Sequence, residues 1–280
     1  MSPDRYAVLG NPVAHSRSPF IHALFARQTG QAIDYGRLLC PLEAFATTVR
    51  NFAQQGGRGC NVTLPFKFEA RALAAHSTAR ALLADAANTL RLDALGWWAD
   101  NTDGVGLVSD IQHGAGLALA GRRVLLVGAG GASAGVLGPL LCARPAQVVV
   151  ANRTSAKAQA LVQRHAAVAR EYGAALSASG LDDAGEAYDV VLNASASSMQ
   201  GAAAPVHARV LARGALAVDL MYGPLAEPFL AWARAHGAVA RDGLGMLVEQ
   251  AAEAFFFWRG VRPDTAPVLV ALRAEMAAER

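Results

Sequence analysis

Cysteine is scarce in this 280-residue chain: Cys40, Cys60 and Cys142 are odd in number and far apart. A disulfide framework is therefore not expected, and a reducing compartment, the cytoplasm, is. The seven histidines are scattered, and His15 and His22 have no cysteine or acidic partner in ligand spacing, so no metal is expected. Charge is also sparse, at 17%, with no basic block and a formal net charge of only +3. Nucleic acid is thus not the expected partner, and a small anionic ligand fits better. The stretch from Met1 to Tyr6 has no apolar core of signal-peptide length. The low charge does not signal disorder, because hydrophobic residues make up 53%. A chain of this size can bury a core in two modest domains or one large one.

One uncharged run, Val124 to Ala143, has the length of a membrane span. Gly128, Gly130, Gly131, Gly135 and Gly138 interrupt it, with Pro139 behind them. Directly after Val124-Leu125-Leu126-Val127, that spacing is the layout of a buried strand, a tight turn and a helix start, so no membrane is expected. Such a turn aims backbone N–H groups and a helix N-terminus at a phosphate. The pattern is G-x-G-G-x-x-x-G, with Ser133 where a dinucleotide fingerprint has its third glycine. Short apolar runs at Val124–Val127, Val148–Ala151, Val190–Asn193 and Leu216–Asp219, with helical patterns among them, predict a parallel, doubly wound sheet. At the end of the second run an NAD site places Asp or Glu on the ribose hydroxyls. Here stand Asn152-Arg153-Thr154, with Lys157 one turn on, and two cations with small polar groups suit a 2′-phosphate. A helix start capped by Thr154, with solvated basic residues, is the plain alternative.

In the first half, Tyr6–Gly10 reads as a strand ending at Asn11-Pro12. Ser18-Pro19 before Ile21, Leu24 and Phe25 reads as a helix start with Ser18 as N-cap. Ser16 is a second hydroxyl at that end, where free N–H groups favour a carboxylate, so capping and anion binding stand level. A strand Ile33–Leu39 and a helix from about Pro41 to Gln54 follow. In Asn61-Val62-Thr63-Leu64-Pro65-Phe66-Lys67 the proline turns a strand end into a new helix. Lys67 then sits in a first helical turn, where the dipole disfavours a cation, and this points it at a ligand. Two short strands around Ala87–Arg91 and Gly96–Ala99 lead to Asp100-Asn101-Thr102-Asp103-Gly104. Asp103 either caps the helix Val105–Ile111 or pairs with Lys67 as acid and base. His113 to Gly121 reads as a domain junction, the helix Leu247–Trp258 carries an apolar Phe255-Phe256-Phe257-Trp258 expected in the core, and Val268–Met276 is a last helix.

These stretches together resemble the shikimate dehydrogenase family almost end to end. The resemblance rests on Gly10-Asn11-Pro12 with His15-Ser16-x-Ser18-Pro19, Asn61-Val62-Thr63-x-Pro65-Phe66-Lys67, Asn88-Thr89 and Asn101-Thr102-Asp103-Gly104. It continues through Gly128-Ala129-Gly130-Gly131-Ala132, Asn152-Arg153-Thr154, Asp219-x-x-Tyr222 and Asp242-Gly243-Leu244-Gly245-Met246-Leu247 with Gln250. It implies NADPH-dependent, reversible reduction of 3-dehydroshikimate to shikimate in aromatic amino-acid biosynthesis. It implies an α/β fold with a substrate-binding domain at 1–103, a Rossmann-like NADP-binding domain at 104–241, and C-terminal helices at 242–280 packing back on the first. Lys67 and Asp103 would be the catalytic pair, and Ser16 and Ser18 would bind the substrate carboxylate. Thr63, Asn88, Tyr222 and Gln250 would contact the substrate or shape its pocket. The cofactor would lie on Gly128, Ala129, Gly130, Gly131, Ala132, Asn152, Arg153, Thr154 and Lys157, with Ser195, Met221 and Gly243. A monomer or homodimer is expected.

The chain departs from the family in two places. Asn193-Ala194-Ser195-Ala196-Ser197-Ser198 replaces an Asn-Ala-Thr-Ser stretch, and Lys157 stands where many members have a second arginine. The lysine keeps a charge for phosphate and loses a planar surface for adenine. Two rival functions remain: a quinate/shikimate dehydrogenase with relaxed cofactor use, and a non-catalytic NADP(H)-binding regulatory module.

Overall fold

The computed structural model describes residues 2–195, 197 and 204–279. It forms two compact units, Met1–Gly106 with Leu247–Arg280, and Leu107–Met246. The divisions fall at 106 and 246, against expected bounds of 103 and 241, and His113–Gly121 lies wholly inside the second unit.

The first unit runs β1 (Asp4–Gly10), α1 (Ser18–Thr29), β2 (Ile33–Leu39), α2 (Phe45–Gln54), β3 (Gly57–Val62), α3 (Lys67–Leu73), β4 (His76–Ser77), α4 (Ala79–Ala84), β5 (Thr89–Arg91), β6 (Trp98–Asp100) and the start of α5 (Asp103–Ser109). Its six-stranded sheet has the order β2-β1-β3-β5-β6-β4. The pairs β1–β2, β1–β3 and β4–β6 are parallel, whereas β3–β5 and β5–β6 are antiparallel. Leu9, Phe45, Val49, Phe66 and Leu90 are buried against one another in its core. Full burial of such side chains contributes roughly 1.5–3 kcal/mol each.

The second unit runs β7 (Arg123–Val127), α6 (Gly131–Cys142), β8 (Gln147–Ala151), α7 (Ser155–Tyr172), β9 (Ala175–Ser179), β10 (Tyr188–Asn193), β11 (Leu211–Asp219), α8 (Glu227–Ala235) and β12 (Val239–Arg241). All of its strand pairs are parallel, in the order β12-β11-β10-β7-β8-β9. Read from the other edge this is the doubly wound order 3-2-1-4-5-6, with the switch point between β7 and β10. The uncharged run Val124–Ala143 is β7, the glycine turn and most of α6; among the described residues no helix is long and apolar enough to cross a membrane.

The chain returns to the first unit along α9 (Leu244–Arg259) and ends in α10 (Ala266–Ala278), which packs on α1. The aromatic run in α9 is not all core. Phe255 is fully buried, but Phe256 is 42% exposed, because consecutive residues on a helix turn to different faces. Helix α2 begins at Phe45 rather than near Pro41, since Pro41 to Ala44 form a turn closed by Ala44 N–H to the Pro41 carbonyl.

Candidate active site

Lys67 is the first residue of α3, and Asp103 the first of α5. Phe66, fully buried and stacked on Phe45 at 5.0 Å between centroids, anchors the start of α3. Asp103 does not cap its helix: its own N–H donates to Asn101 Oδ1 at 3.2 Å, and its carboxylate accepts from Lys67 and Asn88 instead. That loop is braced from below. Asp100, with no exposed surface, accepts from Arg80 at 2.7 and 2.5 Å and from Thr78 Oγ1 at 2.6 Å, and takes the Asn101 N–H at 2.7 Å.

Lys67 Nζ reaches Asp103 Oδ2 at 2.5 Å, with side-chain exposures of 13% and 7%. A pair this buried persists only where the remaining lone pairs are satisfied. Asn88 supplies that partner. Its Nδ2 lies 2.9 Å from Asp103 Oδ1, 3.0 Å from Gln250 Oε1 and 2.9 Å from Thr102 Oγ1. Two hydrogens cannot serve three acceptors, so the Thr102 hydroxyl turns donor, towards Asn88 Oδ1 at 3.2 Å or Gln250 Oε1 at 3.3 Å. The Thr102 N–H and the Thr89 hydroxyl also donate to Asn88 Oδ1. The structure thus brings Lys67, Asp103, Asn88 and Gln250 into one buried network, with an ammonium at its edge able to give a proton to, or hold charge on, a neighbouring oxygen.

The serine pair stands at the start of α1. Ser18 is the first helical residue and not its cap: Arg17 takes that position, and its side chain makes no cap hydrogen bond. Ser16 Oγ accepts the Ser18 N–H at 3.3 Å, and its hydroxyl donates to Ser18 Oγ at 3.2 Å. Thr63 follows β3, half-buried, with its N–H on the Leu9 carbonyl. From β2, in the same unit, Tyr35 donates from Oη to Asn61 Oδ1 at 2.6 Å. Asn61 in turn donates to the Asn88 carbonyl and to Thr89 Oγ1, at 3.3 and 3.1 Å.

In the second unit the expected cofactor residues gather at the carboxyl ends of the strands, where ligands of such sheets bind. Gly128 follows β7 with φ +110°, and a Cβ there would lie 2.9 Å from the Ala194 carbonyl oxygen, so glycine is required. Its N–H donates to the Ala151 carbonyl, which fastens the turn to the end of β8. At Gly130, the N-cap of α6, nothing lies within 4 Å of the Cβ position, leaving a cradle for an anion at the helix start with Gly131 and Ala132. Asn193 donates to Asp219 Oδ2 and accepts from the Ser195 hydroxyl at 2.7 Å, Met221 N–H rests on Asp219 Oδ1, and Gly243 N–H on the Met221 carbonyl. Ala196 and Ser198 of the departing stretch lie outside the described residues. Tyr222 also belongs to this unit, on the loop after β11.

Thr154 occupies the N-cap position of α7 but makes no cap hydrogen bond. Asn152 Nδ2 donates to its carbonyl at 2.9 Å. Arg153 and Lys157 are exposed, and neither has an ion-pair partner among the described residues. The end of β8 carries no carboxylate. A glycine cradle followed by two uncommitted cations therefore fits a phosphorylated dinucleotide.

Three family descriptions match: "Shikimate dehydrogenase substrate binding domain" over residues 8–90, "Shikimate / quinate 5-dehydrogenase" over 111–220 and "Shikimate 5'-dehydrogenase C-terminal domain" over 243–273. A shikimate dehydrogenase (NADP(+)) of Methylibium petroleiphilum is 65% identical over 277 residues, covering 97% of this chain and 94% of that protein. The chain belongs to the shikimate dehydrogenase family. Among solved structures, an Ael1 enzyme from Pseudomonas putida is 46% identical with a TM-score of 0.87, over 96% of this chain and 98% of its own. The shikimate 5-dehydrogenase of Thermus thermophilus, solved in complex with NADP(H) and shikimate, is 34% identical with a TM-score of 0.84, over 98% and 99%. Thr102, Thr89, Asn61 and Tyr35 are joined to this network by hydrogen bonds, although the sequence did not single them out. Thr102 lies in the Asn101–Gly104 motif beside Asp103, and Asn61 opens the Asn61–Lys67 motif that holds Thr63. Tyr35 has no motif around it, and only the pairing of β2 with β1 and β1 with β3 places it near Asn61.

Proposed function

We propose that this chain catalyses the reversible, NADPH-dependent reduction of 3-dehydroshikimate to shikimate, a step of aromatic amino-acid biosynthesis. The observation that carries the chemistry is the buried Lys67–Asp103 pair at 2.5 Å, held by Asn88. NADPH, when bound, supplies hydride to the ketone carbon. Lys67 then stabilises the alkoxide that develops on the oxygen and donates its proton, while Asp103 orients the ammonium. Ser16 and Ser18 bind the ring carboxylate at the start of α1, where free N–H groups favour an anion. Thr63, Asn88, Gln250 and Tyr222 contact the remaining groups of the substrate. Gly128 to Ala132 cradle the pyrophosphate, Arg153 and Lys157 with Asn152 and Thr154 bind the 2′-phosphate, and Ser195, Met221 and Gly243 complete the cofactor side. In this reading the first unit is the substrate domain and the second the NADP domain. The enzyme works in the cytoplasm as a monomer or homodimer.

The deciding assay follows NADPH oxidation with 3-dehydroshikimate, beside NADH and beside 3-dehydroquinate. A large preference for NADPH and dehydroshikimate is expected. Equal rates with NADH would sink the cofactor assignment, equal rates with dehydroquinate the substrate assignment, and no turnover at all would leave a binding module.

A further inference from the structure

Helix α9 carries Gln250 and, one turn further on along the same face, Glu253. It passes α5 at Gly106, where an added Cβ would lie 2.6 Å from Gln250 N and 2.9 Å from Gln250 Cα, so the two helices meet almost backbone to backbone. A glycine offers no ridge to fit a groove. That contact sets the distance between the helices and by itself leaves α9 free to turn about its own axis. On a helix of about 5–6 Å outer radius, a turn of about 20° carries a side-chain head through about 2 Å. Such a swing would part Gln250 Oε1 from Asn88 Nδ2, which stand 3.0 Å apart.

Glu253 supplies the stop. Its Oε1 accepts from Arg80 Nη2 at 2.9 Å and its Oε2 from Arg262. The same Arg80 guanidinium holds Asp100 through Nε and Nη2, at 2.7 and 2.5 Å. Asp100 ends β6, and its carbonyl takes the N–H of Asn88, just before β5, at 3.1 Å. Two α9 residues one turn apart are thus tied, directly or through Arg80, to two neighbours at the strand ends. A ring closes, with Arg80, Asp100, Asn101 and Asp103 along one side and Glu253, Gln250 and Asn88 along the other. The side chains of Asp100 and Glu253 are only 1% and 12% exposed. Taking such charges out of water offsets most of what their attraction contributes, so what the cluster fixes is geometry.

We propose that Glu253 is a positioning residue for Gln250: through Arg80 it locks the rotation of α9 against the loop that carries Asp103, and so sets the contacts among Gln250, Asn88 and Asp103. That these contacts serve shikimate oxidation rests on the functional reading above.

The test compares Glu253→Ala with Glu253→Gln, which keeps an acceptor for Arg80, in steady-state oxidation of shikimate by NADP+. Glu253→Ala is expected to lower kcat/KM for shikimate about fivefold or more, with KM for NADP+ unchanged, and Glu253→Gln to stay within about twofold of wild type. In a Gln250→Ala background Glu253→Ala should cost about twofold or less, because the side chain it positions is gone. Wild-type kinetics in Glu253→Ala, a parallel rise in KM for NADP+, no recovery with glutamine, or losses that multiply with Gln250→Ala would overturn the proposal and leave Glu253 a stabilising contact. A readout that needs no substrate is the Asn88 side-chain amide in assigned NMR spectra. Its resonances should move in Glu253→Ala, and unmoved resonances would also overturn the proposal. If Glu253→Ala does not fold, Arg80→Lys loosens the same link, because one ammonium cannot span both carboxylates as the planar fork does. It is held to the same expectations for shikimate, NADP+ and Asn88. A wild type that does not oxidise shikimate would refute the functional reading alone, and the Asn88 resonances would then decide on Glu253.

Discussion

Each oxygen of Asp103 accepts a hydrogen bond, one from Lys67 and one from Asn88, which holds the carboxylate against the ammonium. In the proposed mechanism Lys67 is the proton donor. Lys67→Ala is expected to lower kcat by about 10²-fold or more, the scale of general acid–base contributions, in steady-state oxidation of NADPH. Near-normal turnover would remove it from the mechanism. A different residue contributes to acid stability. Burial pushes His22 down to about 3 from the ordinary 6.5, with Asn61 acting in the opposite direction. The unfolded chain takes up that proton below pH 6.5, while the folded chain refuses it until about 3. This contribution to stability is complete above pH 6.5 and is lost as the pH falls towards 3, by up to about tenfold in the folding equilibrium per pH unit. His165, also lowered by burial, acts in the same direction. Urea midpoints measured from pH 7 to 4 should fall less steeply for His22→Phe than for wild type, and an identical slope would refute the assignment.

At the scale of the element, the glycine turn and the start of α7 have separate tasks. Gly128→Ala forces a side chain into the left-handed region and against the Ala194 carbonyl, which should cost about 1–2 kcal/mol in thermal or chemical unfolding and raise KM for NADPH. A fully stable variant with unchanged KM would show the turn to be tolerant. Replacing Arg153 and Lys157 by alanine should leave stability within about 0.5 kcal/mol, as expected of exposed residues. It should raise KM for NADPH far more than for NADH, whereas a similar rise for both would mean that these residues do not read the 2′-phosphate. The elements themselves were unevenly legible. Central strands β7, β8, β10 and β11 carry continuous apolar runs because both faces are covered. The edge strands β9 and β12 have no buried residue, and β4 is only two residues long, so none offered a pattern to read.

For the molecule as a whole, each unit has its own sheet and its own core. Ligands should therefore protect different parts of the chain. In hydrogen exchange, NADP+ alone should slow peptides around 124–157 and 193–222, and shikimate alone those around 10–20 and 61–103. Protection by NADP+ confined to the first unit would reverse the assignment of domains. The candidate catalytic pair was legible because a lysine in a first helical turn is locally odd and the family motifs set Asp103 beside it; alone, an acid at a helix start reads equally as a cap. The network behind it was not: Tyr35, Asn61 and Asn88 become neighbours only through strand order, and no local pattern encodes that. The exposed corner after β8 has a practical consequence. From Arg153 to Lys157 every side chain faces outward, and the corner is tied to the sheet at Asn152, through its N–H to the Ser179 carbonyl. Those five positions amount to an exchangeable cassette: rewriting them with an acidic residue should redirect the protein towards NAD+ while leaving the scaffold as it is.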